Sequence, residues 1–207
     1  MDARTRSRDA EDLGERARVL ALLREHGWNS TSFQVLEPGF RYWFAQDACV
    51  AYVDTGGAWV VAGAPIAPRE RFADIADAFL AAARSAGRRA SFFGTEPRFH
   101  DAIDWPALRI GDQPVWDPAD WPGTLAQSRS LREQVRRARA KGVAVRRLDP
   151  GELDPSHATR ARLDELIERW LAARPMATMG FLVQVHPYTF PQERRSFVAE
   201  QDGRVVG

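Results

Sequence analysis

Apolar residues recur with a helical period at several places along the chain. Leu13, Ala17, Leu20 and Ala21 mark one amphipathic helix from about residue 10 to 25, closed near Gly27. Phe72, Ile75, Ala76, Phe79, Leu80 and Ala83 mark a second, stopped by Gly87, and Leu163, Leu166, Ile167, Trp170 and Leu171 a third that ends before Arg174-Pro175. Between them lie short β-patterned runs at 41–45, 49–53, 59–61 and 90–93, with an edge strand at 108–115 that Pro114 interrupts. Further strands are expected at 143–145, 196–200 and 204–206. Asp54-Thr55-Gly56-Gly57 and Gln201-Asp202-Gly203 supply hairpin turns. Residues 1–9 are polar and expected to fray, 97–103 to form a helical turn, and 116–123 (WDPADWPG) to connect two units.

The order of elements is helix, hairpin, helix, strand, and then strand, helix, hairpin. It predicts a mixed α/β fold of two related units, 1–123 and 124–207, the second incomplete. The pattern stops inside a strand at 204–207 with nothing to cover its edge, so a longer parent protein is expected.

Charge changes the picture at one place. The stretch 128–147, SRSLREQVRRARAKGVAVRR, holds eight basic residues against Glu133 alone; the whole chain is +1, so everything else sums to −6. Leu131, Val135 and Ala138 give a narrow apolar stripe able to rest on a core, while Arg132, Arg136 and Arg139 repeat on another face beside Arg129 and Arg137. Gly142 suits a left-handed C-cap. Such a helix fits polyphosphate, in an RNA backbone or at an anionic membrane surface. Its bland alternative is a solvated Arg-rich helix joining two domains.

Other chemistry is sparse. One cysteine, Cys49, excludes an internal disulfide framework, and its apolar run favours a buried core thiol over a nucleophile. His26, His100, His157 and His186 are scattered without metal-ligand spacing, so no metal is expected. No G-x-S-x-G, Walker or dinucleotide motif occurs. Arg84-Ser85-Ala86-Gly87-Arg88-Arg89 approaches the acetyl-CoA pyrophosphate loop but follows a helix, which reads better as a C-cap. Asp164, Glu165 and Glu168 are expected to be solvent-exposed, Glu200 and Asp202 to flank the last hairpin, and the aromatics Trp28, Phe33, Phe40, Tyr42, Trp43 and Phe44 to pack in a core. No run reaches the roughly 18–20 apolar residues of a membrane span, and the N-terminus is no secretory signal. A cytoplasmic location is expected, with peripheral attachment to the inner face of the membrane left open.

GWNSTSFQVLEPGFRYWF, ACVAYVDTGGAWVVAGAPIAP, SLREQVRRARAKGVAVRRL, MGFLVQV and FVAEQDGRVVG, in that order, resemble the synthase domain of the phosphatidylglycerol lysyltransferase family over most of residues 25–207. The resemblance implies tandem GNAT-like units and transfer of an aminoacyl group from charged tRNA, as co-substrate, to an anionic phospholipid headgroup, without metal or CoA. By the same resemblance the basic helix would join the two units, with Arg132, Arg136, Arg137, Arg139 and Lys141 facing tRNA or lipid phosphate. Gly63-Ala64-Pro65 departs from the family's Gly-Asp-Pro, a form without the flippase that often precedes the domain is expected, and the second unit is expected to be cut short after its first hairpin, so no catalytic residue is assigned. An N-acetyltransferase using acetyl-CoA, and a non-catalytic binder of RNA or anionic membrane, stand as alternatives.

Overall fold

The computed structural model describes residues 3–174 and 186–207. MGFLVQV, at 179–185, and part of the Pro- and aromatic-rich loop expected before the last hairpin lie outside them. The described residues form two compact units: 3–108 with His186, and 109–174 with 187–207.

In the first unit, helix α1 (Ala3–His26) starts earlier than the apolar pattern suggests and includes most of the polar stretch expected to fray. It buries Val19, Leu22 and Leu23. A 3-10 segment, Ser30–Leu36, follows, begun by Asn29, whose side-chain oxygen accepts the Ser32 N–H at 2.8 Å. Strands β1 (Arg41–Ala45), β2 (Ala48–Asp54) and β3 (Ala58–Ala62) form an antiparallel meander, and β4 (Arg89–Phe93) adds parallel to β3. A parallel neighbour needs a crossover, which helix α2 (Phe72–Ser85) supplies.

The β2–β3 turn works as its sequence suggests. Asp54 Oδ1 accepts the Gly56 N–H at 2.8 Å, and Gly56 takes φ +85°, a conformation a side chain would disfavour. Beyond β3, the prolines end sheet pairing with β4's edge and the chain returns to β2, where Ile66 and Cys49 exchange backbone hydrogen bonds of 2.8 and 3.1 Å.

Strand β2 is covered on both faces, which explains its continuous apolar run. Ala48, Val50 and Tyr52 join the core under α2, where Phe72, Ile75, Ala76 and Phe79 meet Val61 and Phe99. Phe79 sits among Trp43, Tyr52, Trp59 and Phe92, with ring centroids 5.5–6.0 Å away. The intervening Cys49 and Ala51 are buried on the opposite face. Phe99 lies on the short helix α3 (Pro97–His100), the turn expected there.

The second unit corrects one expectation: 108–115 is not a strand. Its residues are exposed and pair with no other strand among those described, and Pro114 lacks the N–H that a ladder would need. The stretch 116–123 is more than a connection. Asp117 Oδ1 caps a 3-10 turn, Pro118–Asp120, and helix α4 (Trp121–Gln127) follows at once. Helix α5 (Arg129–Ala140), strand β5 (Ala144–Arg147), a 3-10 turn (Pro150–Leu153) and helix α6 (Ala158–Ala172) come next.

Strands β6 (Phe197–Gln201) and β7 (Arg204–Val205) complete an antiparallel sheet in the order β5-β6-β7. Asp202 and Gly203, at φ +49° and +74°, form the tight turn between them. Leu163 and Leu166 of α6 pack on Val198, Val205, Leu148 and Leu153. Trp170 departs from the periodic reading: it is exposed, with the Arg174 guanidinium 3.7 Å from its ring centroid.

Candidate functional site

Helix α5 begins where Ser128 Oγ accepts the Leu131 N–H at 3.3 Å. It ends in a Schellman motif: Val143 N–H donates to Ala138 O at 3.1 Å, Gly142 N–H to Arg139 O at 2.9 Å, and Gly142 takes φ +79°. Sequence thus sets both ends. Leu131, Val135 and Ala138 are half-buried, and no residue of the helix is fully buried. The apolar stripe rests against its neighbours without entering a core.

The cations are not equivalent. Arg132 turns back to the end of α4, where Nη1 donates to Leu125 O at 3.0 Å and also to Ala126 O. Carbonyls at a helix C-terminus need such donors, so Arg132 has a structural role. Arg136 donates twice to Glu133 Oε2, at 3.1 and 2.9 Å, and Arg137 Nε donates to Glu133 O at 3.3 Å. Arg129, Arg139 and Lys141 are exposed, and among the described residues none of the three has a carboxylate partner. Arg139 and Lys141 stand at the helix C-terminus, where the macrodipole favours cations. Arg129, in the first turn, stands where the dipole opposes one. Local stability explains Arg132 and Arg136 but not Arg129.

Beside this helix, Arg146 of β5 lies between two carboxylates. Nη1 and Nη2 reach Glu152 at 2.8 and 3.0 Å, while Nε and Nη2 reach Glu200 at 3.1 and 3.2 Å. The Arg146 hydrogen bonds pull the Glu152 carboxyl down to about 2, helped by the Asp149 N–H, and raise the guanidinium further. Arg146 is therefore a sheet clamp, and Glu200 is its partner rather than a free acid. Asp164, expected to face solvent, is half-buried: it accepts Arg160 Nε at 3.0–3.1 Å and the Tyr188 hydroxyl at 2.7 Å. A tyrosine outside the helical pattern carries no signal of that contact.

The remaining candidates settle into structural places. Gly87 takes φ +68° and its N–H donates to Arg84 O at 2.9 Å, while Arg88 N–H donates to Ala83 O, so the stretch from Arg84 is the α2 C-cap. The Ala86, Gly87 and Arg88 amides are engaged within the cap, and the Arg89 N–H donates to Gly57 O at 3.3 Å. His157 Nδ1 accepts the Thr159 N–H at 3.1 Å, capping α6, and His100 Nε2 lies 2.8 Å from Thr95 Oγ1. Among the described residues no three of His, Cys, Asp and Glu converge as metal ligands. Burial pushes the Cys49 thiol up to about 12, as suits a core residue. Of the aromatics, Trp43 packs on the first core, whereas Trp28 is exposed with Arg98 4.5 Å from its ring centroid. No helix of the described residues is long and apolar enough to cross a membrane.

Comparison with known proteins gives these features a setting. The sequence profile described as phosphatidylglycerol lysyltransferase, C-terminal, matches residues 20–207. The C-terminal domain of a putative lysylphosphatidylglycerol synthetase from Agrobacterium fabrum superposes with a TM-score of 0.70 at 17% identity, over 94% of this chain and 62% of that one. L-PGS from Bacillus licheniformis gives 0.67 at 20% identity, over 92% of this chain and 59% of that one. The likeness carries the fold, a mixed α/β architecture of GNAT-like type. The chain spans about three-fifths of the length of these solved structures. No curated protein matches it.

Proposed function

The chain belongs to the phosphatidylglycerol lysyltransferase C-terminal family, and we propose that it takes part in moving an aminoacyl group from charged tRNA to an anionic phospholipid headgroup. In that reaction the lipid hydroxyl oxygen attacks the carbonyl carbon of the aminoacyl ester. The bond to the tRNA ribose breaks, the ribose oxygen takes up a proton, and the lipid hydroxyl gives one up. An ester is exchanged for an ester, so positioning, a proton acceptor and oxyanion stabilisation suffice, without a further cofactor.

The observation that carries the reading is the exposed cationic face of α5. Arg129, Arg136 and Arg139 lie at helical spacing over about 15 Å of axis, with Arg137 and Lys141 beside them. That length suits several successive phosphates of one RNA strand better than a single headgroup, so tRNA is the first assignment for this face. Arg132 is engaged with the end of α4 and supports this face by holding the helix in place.

The test is transfer of labelled amino acids from a charged tRNA pool into extractable lipid, using the protein at the length found in its own cells. Label in the lipid fraction supports the reading. An unlabelled lipid fraction with tRNA still bound at low salt would replace it with non-catalytic RNA binding.

A further inference from the structure

Helix α5 and strand β5 are joined by Lys141, Gly142 and Val143. Gly142, at φ +79°, turns the chain out of the helix. So short a link around a glycine does not by itself hold a helix at one angle to a sheet. A second connection does. Gln201 Nε2, at the end of β6, donates to Lys141 O at 2.8 Å, joining residues 60 positions apart. The register explains the reach: Ala144 pairs with Glu200, so Gln201 stands one position further toward the helix, and it pairs in turn with Arg204 of β7.

The acceptor is one of the carbonyls that a helix end leaves without an internal donor. Val143 N–H answers Ala138 O and Gly142 N–H answers Arg139 O through the Schellman motif. Lys141 O lies beyond both, and the Gln201 amide answers it. Toward the other end of the helix, Arg132 reaches Leu125 O and Ala126 O of α4. Side-chain hydrogen bonds to main-chain oxygens thus tie α5 down at both ends, and neither tie depends on which faces of the unit are covered.

We propose that Gln201 is a positioning residue for the cationic face of α5. Its bond to Lys141 O sets the angle of the helix against the β5-β6-β7 sheet and so aims Arg129, Arg136 and Arg139 at successive tRNA phosphates. The choice of tRNA rests on the function proposed above; the fixing of the helix does not. Gln201 is uncharged and acts through the helix, which gives it a signature unlike that of the cations. A lost cation removes a phosphate contact and lowers the salt dependence of binding. A loosened helix keeps all its cations but must be fixed on binding, so affinity falls while the contacts in the complex, and hence the salt slope, stay the same.

The test is Gln201→Met, which keeps the length of the side chain and removes the donor. Spin labels at Gln134→Cys on α5 and Ala161→Cys on α6 report the helix against the sheet that α6 covers; both positions are exposed, and Cys49 is buried and takes no label. Gln201→Met should broaden the distribution of distances between the labels. In the unlabelled protein it should weaken binding of a charged tRNA pool roughly two- to ten-fold, with the parent slope of log K against log salt. Lys141→Gln is the converse control: it keeps the carbonyl and its bond, so the distances stay narrow while the slope flattens.

Distances as narrow in Gln201→Met as in the parent overturn the proposal, whatever tRNA does. A melting temperature that falls while tRNA affinity stays at the parent value overturns it too, because Gln201 is then only a cap for the helix. The two claims fail separately. A parent protein that binds tRNA, with Gln201→Met binding equally well, removes the positioning role and leaves the proposed function in place. A parent protein that binds no tRNA removes the tRNA reading and the aiming with it, and the label distances still decide whether Gln201 fixes α5.

Discussion

The Tyr188 hydroxyl donates to Asp164 Oδ1 at 2.7 Å, joining the segment ahead of β6 to α6. Arg160 closes the arrangement: its Nε reaches the same carboxylate, Nη1 donates to Leu153 O at 3.0 Å, and its guanidinium carbon lies 3.3 Å from the Tyr188 ring centroid. Partial burial, and then the Asp164 hydrogen bond and charge, push the Tyr188 phenol up to about 12. Because the folded value is raised, this stabilisation is complete below the ordinary phenol value near 10 and is lost as pH rises from there through about 12. Burial raises Tyr42 and Tyr52 as well, so the Tyr188 transition in phenolate absorbance is the one lost in Tyr188→Phe, and it should move down in Asp164→Asn. Tyr188→Phe should cost about 1 kcal/mol in thermal unfolding.

The Arg146 clamp has the opposite pH signature. Glu152 is held down to about 2, chiefly by the Arg146 hydrogen bonds. A depressed carboxylate contributes stability that is present above its ordinary value near 4.5 and is lost as pH falls toward 2. Arg146→Gln removes the cation between Glu152 and Glu200 and leaves like charges facing each other. Acid unfolding, followed by circular dichroism, should then begin at higher pH, whereas a clamp without energetic weight would leave the acid limb where it was.

In the first unit, Phe79 is fully buried and meets four other aromatic rings. Phe79→Ala should lower stability by about 3–5 kcal/mol, read from the denaturant dependence of tryptophan fluorescence. A loss near 1 kcal/mol would mean that the surrounding rings collapse into the space.

Much of this architecture is legible in the sequence because local rules and burial agree. The α2 period, the Gly56 turn, the Gly142 cap and the hairpin at Asp202-Gly203 each rest on residues within a few positions of one another. The edge strand at 108–115 fails for a non-local reason: β-patterned side chains do not make a strand unless another strand offers its ladder. Trp170 fits the apolar period of α6 yet lies in solvent, because period alone does not limit how wide a buried stripe is. In the basic helix, sequence identifies the charge but not its division of labour. That Arg132 serves α4 while Arg129 stands open depends on how the chain turns at Ser128. The Asp164–Tyr188 pair joins residues far apart in the chain, and neither has a local pattern that announces the other.

Cys49 offers a probe of opening in the first unit. It is fully buried, and burial raises its thiol to about 12, so both access and ionisation oppose labelling at neutral pH. An aromatic disulfide reagent should react only as fast as the unit opens, and the rate should rise steeply with denaturant. Cys49→Ser places a hydroxyl in the same apolar site and should cost about 1–3 kcal/mol. Rapid labelling without denaturant would show that the face of β2 opposite α2 is open to solvent.

The division of labour along α5 gives the sharpest test of phosphate binding. If the exposed cations hold tRNA, each one that meets a phosphate releases counterions, and log K falls with log salt by about 0.7–0.9 per contact. Arg129→Gln, Arg139→Gln and Lys141→Gln should each weaken tRNA binding and flatten that slope by about one contact or less, with little change in melting temperature. Arg136→Gln should do so less cleanly, because it also frees Glu133, whose charge then opposes the ligand. Arg132→Gln should do the reverse: the carbonyls of Leu125 and Ala126 lose their donor, melting temperature falls, and the salt slope stays near that of the parent. A slope that responds to Arg132 and not to Arg129 or Arg139 would move the phosphate contact to the α4–α5 corner. A slope that responds to none of them would return α5 to the role of a solvated helix.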